Sequence, residues 1–336
     1  MKVASAQLTK TMPSGLATAF AICLACPATQ SAAEPSYPVK PVRLLVGFPP
    51  GGNNDIVARI VTPKLSELLG QQVVIDNRAG ATGVVAAGLV ARALPDGYTL
   101  LAGAVSTNAI AGSLFSKLPY DQERDFAPVT LMASMPHIVS VYPGSEVKSL
   151  KDLIAYAKAH PGDLRFASSG NASTPHIAGE MFKMMTGTDL MHVPYKGAAQ
   201  ALPDLLSGQI PVSFNAAAVV VTYIKAGKLR PLAVTAHARF APLPDVFTSA
   251  EAGLPGFEMS TWHGVLAPAG TPRSIVLRLH GEIARVLRLP EVREKLSAGV
   301  GSDDTVTRTP EQFATLIRND TLRYAKVVKT VGMRID

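Results

Sequence analysis

Val42-Arg-Leu-Leu-Val-Gly-Phe48, running straight into Pro49-Pro-Gly-Gly-Asn-Asn-Asp55, is the stretch from which the fold is read. The first part is an apolar run of strand length, and the second is a cluster of turn residues. Ile56, Ile60, Val61, Leu65, Leu68 and Leu69 then recur at helical spacing until Gly70. Pro63 falls inside that run, and the loss of a backbone donor predicts a kink or a split there. Gln72-Val-Val-Ile-Asp76 reads as the next strand, Gly83 to Leu94 as a helix of small residues, and Tyr98-Thr-Leu-Leu-Ala102 as a further strand after the turn Pro95-Asp-Gly97. Strands alternating with helices predict parallel β-α-β units.

The same order of events recurs downstream. Leu164-Arg-Phe-Ala167 reads as a strand, Ser168-Ser-Gly-Asn-Ala-Ser-Thr174 as a loop, and Pro175 as the first residue of a helix carrying Ile177, Met181, Phe182 and Met185 on one face. Gly187 ends that helix, and Leu190-Met-His-Val-Pro194 is the following strand. Gly70 to Gly80 and Gly187 to Gly197 are equal steps, with a basic residue, Arg78 or Lys196, just before the second glycine. An architecture of two similar α/β lobes follows. Residues 129–142 form an extended crossing segment, and 256–266 the return strand. Ser149 caps a helix with Asp152 three residues on, and the tail holds two helices with Thr-Pro starts at 271 and 309, the second with Gln312 at the capping-box position. The lobes are expected over 34–139 plus 262–336, and over 140–261.

Composition supports a globular core: 47% of the 336 residues are hydrophobic and 17% charged. The formal charge of +7 is spread along the chain, so nucleic acid is not an expected partner. Residues 1–33 carry Lys2 and Lys10, an apolar run from Gly15 to Cys26, and small residues ending Ser31-Ala32-Ala33, the pattern of a cleaved secretory signal. A lipid attachment at Cys26 is the lesser alternative. Cleavage after Ala33 removes both cysteines, which excludes thiol nucleophiles and thiolate metal sites from the mature chain. The expected location is the periplasm.

A strand that ends in a glycine-rich loop and opens a helix exposes unpaired backbone N–H groups at the positive end of the helix dipole, a binding site for anions. Gly47 and Gly52 have P-loop spacing, but Asn53 and Asn54 stand where Lys and Ser/Thr would hold a nucleotide, so a bare anion cradle or a simple tight turn remains. Asp55 is either a first-turn carboxylate or a receiver of a ligand ammonium or hydroxyl. The loop from Ser168 to Thr174 repeats the device with Ser168, Ser169, Asn171 and Thr174 added, Thr174 being either a ligand contact or the helix N-cap. His176 is either a first-turn residue or a contact. Ser145 and Lys148 have the spacing of penicillin-binding serine hydrolases, yet the Lys-Thr-Gly element is missing. Histidines 137, 160, 176, 192, 237, 263 and 280 lack metal-ligand spacing, so no metal and no cofactor is expected.

Several segments resemble the Bug receptors, extracytoplasmic solute-binding proteins of tripartite tricarboxylate transporters. They include Tyr37-Pro-Val-Lys-Pro-Val-Arg-Leu-Leu-Val46, Phe48-Pro-Pro-Gly-Gly-Asn-Asn-Asp55, Asp76-Asn-Arg-Ala-Gly-Ala-Thr-Gly83, Pro95-Asp-Gly-Tyr-Thr-Leu100, Leu118-Pro-Tyr-Asp121, Asp125-Phe-Ala-Pro-Val129, Val193-Pro-Tyr-Lys-Gly197, Asp204-Leu-Leu-Ser-Gly208 and Tyr223-Ile-Lys-Ala-Gly227. The resemblance spans essentially the whole mature chain. It implies a type II periplasmic-binding fold, two α/β lobes joined by a double-crossing hinge, and a non-enzymatic receptor that hands an organic carboxylate to a membrane permease. The ligand-binding residues it implies are Phe48, Pro50, Gly51, Gly52, Asp55, Thr107, Asn108, Ser168, Gly170, Asn171, Thr174, His176, Tyr195 and Asn215. Members often carry Phe-Asp where this chain has Phe214-Asn215, which points away from amino acids and toward plain or hydroxylated carboxylates. A monomer is expected. The alternatives are the Ser145–Lys148 hydrolase and a solute sensor for a signalling kinase.

Overall fold

The computed structural model describes residues 37–302 and 308–334, so the signal-peptide reading and Cys26 lie outside the described residues. The opening unit is β1 (Val42–Val46), α1 (Asn53–Leu69) and β2 (Val73–Asn77), followed by α2 (Val84–Ala91) and β3 (Thr99–Ala104). β1 pairs in parallel with both β2 and β3, as expected of β-α-β units. Pro63 does not split α1, which runs unbroken to Leu69. Pro63 is exposed, so the Arg59 carbonyl it leaves unpaired lies on the solvent side, where water can serve it. The helix of small residues is shorter than its periodicity predicts, beginning after a 3-10 turn at Ala81–Gly83 and stopping at Ala91.

α3 (Ala111–Leu114) leads to β4 (Phe126–Val141), the long crossing strand, and then to α4 (Leu150–Ala159). Ser149 caps α4, its side chain accepting from the Asp152 N–H. The second unit is β5 (Arg165–Ser168), α5 (Thr174–Thr186) and β6 (Met191–Pro194), again parallel. Gly70 and Gly187 end α1 and α5 in the same left-handed conformation, φ 69° and 63°, so the matched spacing reflects a repeated unit. α6 (Ala198–Ser207), β7 (Val212–Ala216), α7 (Ala217–Lys225) and β8 (Arg230–Val234) follow, before the return strand β9 (Ser260–Pro268). The tail holds three helices rather than two: α8 (Arg273–Arg288), α9 (Pro290–Val300) and α10 (Pro310–Thr330). Pro290 starts α9 without any loop of turn residues, which is why its boundary is invisible in the periodicity. Thr309 and Gln312 form the expected capping box of α10.

The strands join in the order β2-β1-β3-β9-β4-β7-β5-β6, with β8 also on β4. β4 pairs with β9 over residues 126–136, with β7 over 137–141 and with β8 over 138–141, so one strand belongs to both halves of a two-lobed α/β sheet. The α1 side of the first half is packed by Val57, Val61, Leu44, Val46 and Val265. On the other side, Trp262 is fully buried with Phe313 edge-on at 5.3 Å, and its indole N–H donates to Asp320 at 2.8 Å. Ile138, Ala167 and Leu205 anchor a third core under α6 and α7.

Candidate functional site

α1 and α5 both begin where a sheet strand ends. The Ile56 N–H is the first to bond back into α1, reaching Gly52 O at 2.9 Å, so Asn53, Asn54 and Asp55 have no intrahelical acceptor. In α5 the corresponding bond is Ile177 N–H to Ser173 O at 3.0 Å, which leaves the N–H groups of Thr174 and His176, Pro175 having none. Each helix therefore presents a short row of donors at its positive end.

The first loop is held from within. Asp55 is buried, and its carboxylate accepts from Gly51 N at 2.9 Å, Arg59 Nε at 2.7 Å and Asn77 Nδ2 at 2.9 Å. Those donors outweigh burial and hold its pKa below the usual carboxylate range. Of its two sequence readings, these contacts express the first-turn one. Asn77 also donates to Phe48 O at 3.1 Å, and Asn54 donates to Ala102 O at 3.0 Å, tying α1 to the end of β3. Gly47 and Gly83 touch backbone to backbone, since a Cβ on Gly47 would lie 2.6 Å from Gly83 Cα. Thr107 donates to Thr82 O at 2.8 Å, and Asn108 is fully buried, accepting from Ala104 N at 3.2 Å. Phe48 is half-buried, while Pro50 and Gly51 are exposed.

The second loop is held by neutral groups. Ser168 Oγ lies 2.6 Å from His192 Nε2 and accepts from Gly170 N at 3.1 Å. His176 Nδ1 accepts from Ala172 N at 3.0 Å, and its ring stacks on His192 with centroids 3.6 Å apart. Burial, the neighbouring ring and Lys183 push His176 down to about 3, and burial with Lys183 pushes His192 down to about 4. Both rings are neutral at neutral pH. The N-cap of α5 is Ser173, not Thr174, because the helix starts one residue earlier than Pro175 indicates. Ser173 Oγ donates to Gly170 O at 2.6 Å instead of capping. Asn171 is exposed.

Thr174 joins the crossing strands. Its hydroxyl lies 3.2 Å from that of Thr261 on β9, and Thr261 lies 2.9 Å from His137 Nε2 on β4. His137 Nδ1 faces the Phe214 carbonyl at 2.8 Å, so Nδ1 carries the proton and donates. Burial pushes His137 down to about 4, so Nε2 is a bare acceptor. Thr261 must then donate to His137, and Thr174 to Thr261.

Of two further predicted residues, Asn215 lies in β7 and Tyr195 directly after β6. The Asn215 amide is buried in β7 and donates to Ser213 Oγ at 2.8 Å; the Tyr195 hydroxyl donates to Asp204. Ser145 lies in the turn after β4, its Oγ accepting from Val147 N at 3.2 Å, and among the described residues no hydrogen bond joins it to Lys148. Sequence reasoning missed Asn54, His137, Thr261 and His263, whose only signal is a polar side chain inside a run of otherwise buried residues. Two surface concavities, of about 390 Å³ between α1 and α9 and about 640 Å³ beside Lys225, Pro242 and Arg293, contain none of the predicted residues.

Residues 57–333 match the tripartite tricarboxylate transporter family receptor, TctC. The chain is 36% identical over 301 residues to the protein BugT of Bordetella pertussis, covering 89% of this chain and 92% of that one. It is similar to two solved structures from Rhodopseudomonas palustris. Rpa4515 with adipate is 36% identical with a TM-score of 0.75, covering 89% of this chain and all of that one. MatC with bound malate is 34% identical with a TM-score of 0.73, covering 87% of this chain and all of that one.

Proposed function

The chain belongs to the tripartite tricarboxylate transporter receptor family, and from that premise we propose that it captures a small organic carboxylate between its two lobes in the periplasm and delivers it to a membrane permease. The family is one of receptors, so the Ser145–Lys148 hydrolase reading falls. The observation that carries the proposal is the pairing of helix starts: α1 is pinned to the end of β3 through Asn54, and α5 to β9 through Thr174. α5 thus starts against β9, and α1 against β3, the strand paired with β9.

An acid group bound by such rows needs no cationic side chain. Charge-assisted hydrogen bonds contribute about 1.5–3 kcal/mol each. Three or four, less the cost of immobilising the solute, give roughly micromolar capture. We assign the first lobe to residues 34–139 with 262–336, and the second to 140–261. The ligand contacts in this reading are the free amides of Asn53, Asn54 and Asp55 on one side and of Thr174 and His176 on the other, with Phe48 and Thr107 at the edge. The bound malate and adipate of the two R. palustris proteins support a carboxylate as the solute class.

A thermal-shift series with acetate, succinate, malate, adipate and citrate tests the proposal. At least one acid raises Tm in a concentration-dependent way. No response to any mono-, di- or tricarboxylate overturns the receptor reading.

A further inference from the structure

Strand β9 alternates its side chains, so Thr261, His263 and Val265 share one face while Trp262 and Gly264 take the other. Val265 packs in the core beneath α1 and Trp262 in the opposite core, which fixes the sides. At one end of the row, Thr261 meets Thr174 at the start of α5. At the other, His263 stands opposite Ala104 of β3 and Ala133 of β4. Ala104 directly follows the Ala102 and Gly103 carbonyls that hold the Asn54 amide, at 3.0 and 3.4 Å. His263 therefore lies between the two helix starts, roughly 7 Å along the strand from Thr261.

His263 is only 4% exposed, and neither of its ring nitrogens has a hydrogen-bond partner. Asn54, 2% exposed, has an unpartnered Oδ1 as well. Buried polar groups are nearly always matched, because an unmatched one keeps its full desolvation cost. Burial pushes His263 down to about 4, so at neutral pH its ring offers one donor and one acceptor. Thr174 has spent its proton on Thr261 and adds only lone pairs, and Asn54 Oδ1 is an acceptor too. A carboxylate brings only acceptors to such a place, and a methylene brings nothing. A hydroxyl both donates and accepts.

We propose that His263 is a specificity-determining residue that hydrogen-bonds a hydroxyl of the bound acid, making hydroxylated carboxylates the preferred solutes over their deoxy counterparts. This rests on the carboxylate-receptor reading and narrows it.

Calorimetric titration of the mature chain with malate and with succinate tests it, since these acids differ by one hydroxyl. Malate binds at least tenfold tighter to the wild type. His263→Phe reduces malate to the level of succinate while succinate itself still binds, and His263→Gln restores part of the difference. Equal affinities in the wild type, or a preference that survives His263→Phe, overturn the inference. If His263→Phe does not fold, nitrogen NMR of the wild-type His263 ring decides. Ring resonances that move with malate and not with succinate support the contact; resonances indifferent to both mean an internal water only, and overturn it. Failure of malate, succinate, adipate and citrate alike to bind overturns the receptor reading, and this inference with it.

Discussion

The two loops that open α1 and α5 do the same geometric task with opposite chemistry. The first is braced by a buried carboxylate, Asp55, receiving from Gly51, Arg59 and Asn77. The second is braced by Ser168, Ser173 and two stacked neutral imidazoles. In the proposed function both loops receive an anion, which requires stiffening without negative charge turned toward it. At α1 the charge is admitted but neutralised by Arg59, and the helix dipole favours a carboxylate there. At α5 it is avoided, and the nearby Glu180 is paired with Lys183 at 3.1 Å. The first loop should accordingly be stiff and intolerant, the second adjustable and sensitive to protons.

Removing the braces gives the largest contrast. Asp55→Ala strands three donors, one of them charged, and should cost about 3 kcal/mol. Ser168→Ala leaves one amide and one imidazole seeking partners, and should cost about 1–2 kcal/mol. Urea unfolding followed by circular dichroism measures both, and equal losses would break the contrast.

A smaller difference is expected from the glycines. At Gly83 φ is +90°, and an added Cβ would lie 2.3 Å from Thr107 Oγ1. Gly83→Ala should cost about 2–3 kcal/mol through strain and overpacking. At Gly170, φ +123°, the nearest atom to a Cβ is Tyr195 O at 3.3 Å, so Gly170→Ala should cost only about 1 kcal/mol. The same unfolding series ranks them, and a Gly170 variant as damaging as the Gly83 one would show the second loop to be equally rigid.

The repeated β-α-β unit was legible because glycines and apolar spacing are local signals. Gly70 and Gly187 end helices in identical conformations, and Thr309 with Gln312 caps one as its spacing predicts. The loops were legible for the same reason. What holds them was not. Asn77 reaches Asp55 across 22 positions and Phe48 across 29, and His192 reaches Ser168 across 24. Such partners are set by strand order, which one chain's periodicity does not encode. Asn215 adds a local partner that the sequence did not show, its amide donating to Ser213 two positions away. His263 escaped because a lone histidine in an apolar strand carries no spacing; only register, opposite two alanines, gives it meaning.

The smallest effect expected is also the one that separates the braces by pH. A histidine held below its ordinary value of about 6.5 takes up its proton in the unfolded chain first, so stability falls as pH drops from 6.5 toward the folded value. For His192 that window runs down to about 4, and for His176 to about 3. Asp55, itself held low, loses its contribution only below the usual carboxylate range, so the first brace is intact at pH 5 while the second is already weakened. His192→Phe keeps an aromatic ring against His176 and Phe166 but gives up the Ser168 contact, for about 1 kcal/mol at pH 7. At pH 5 it also escapes a proton penalty of about 1–2 kcal/mol. Tm measured from pH 7 to pH 5 should therefore fall less steeply in His192→Phe than in the wild type, with the two curves meeting near pH 5. His137 and His263, both near 4, keep the variant's slope from vanishing. Parallel curves would mean that the stacked rings hold the second loop by shape alone, and that its sensitivity to protons lies in the crossing strands instead.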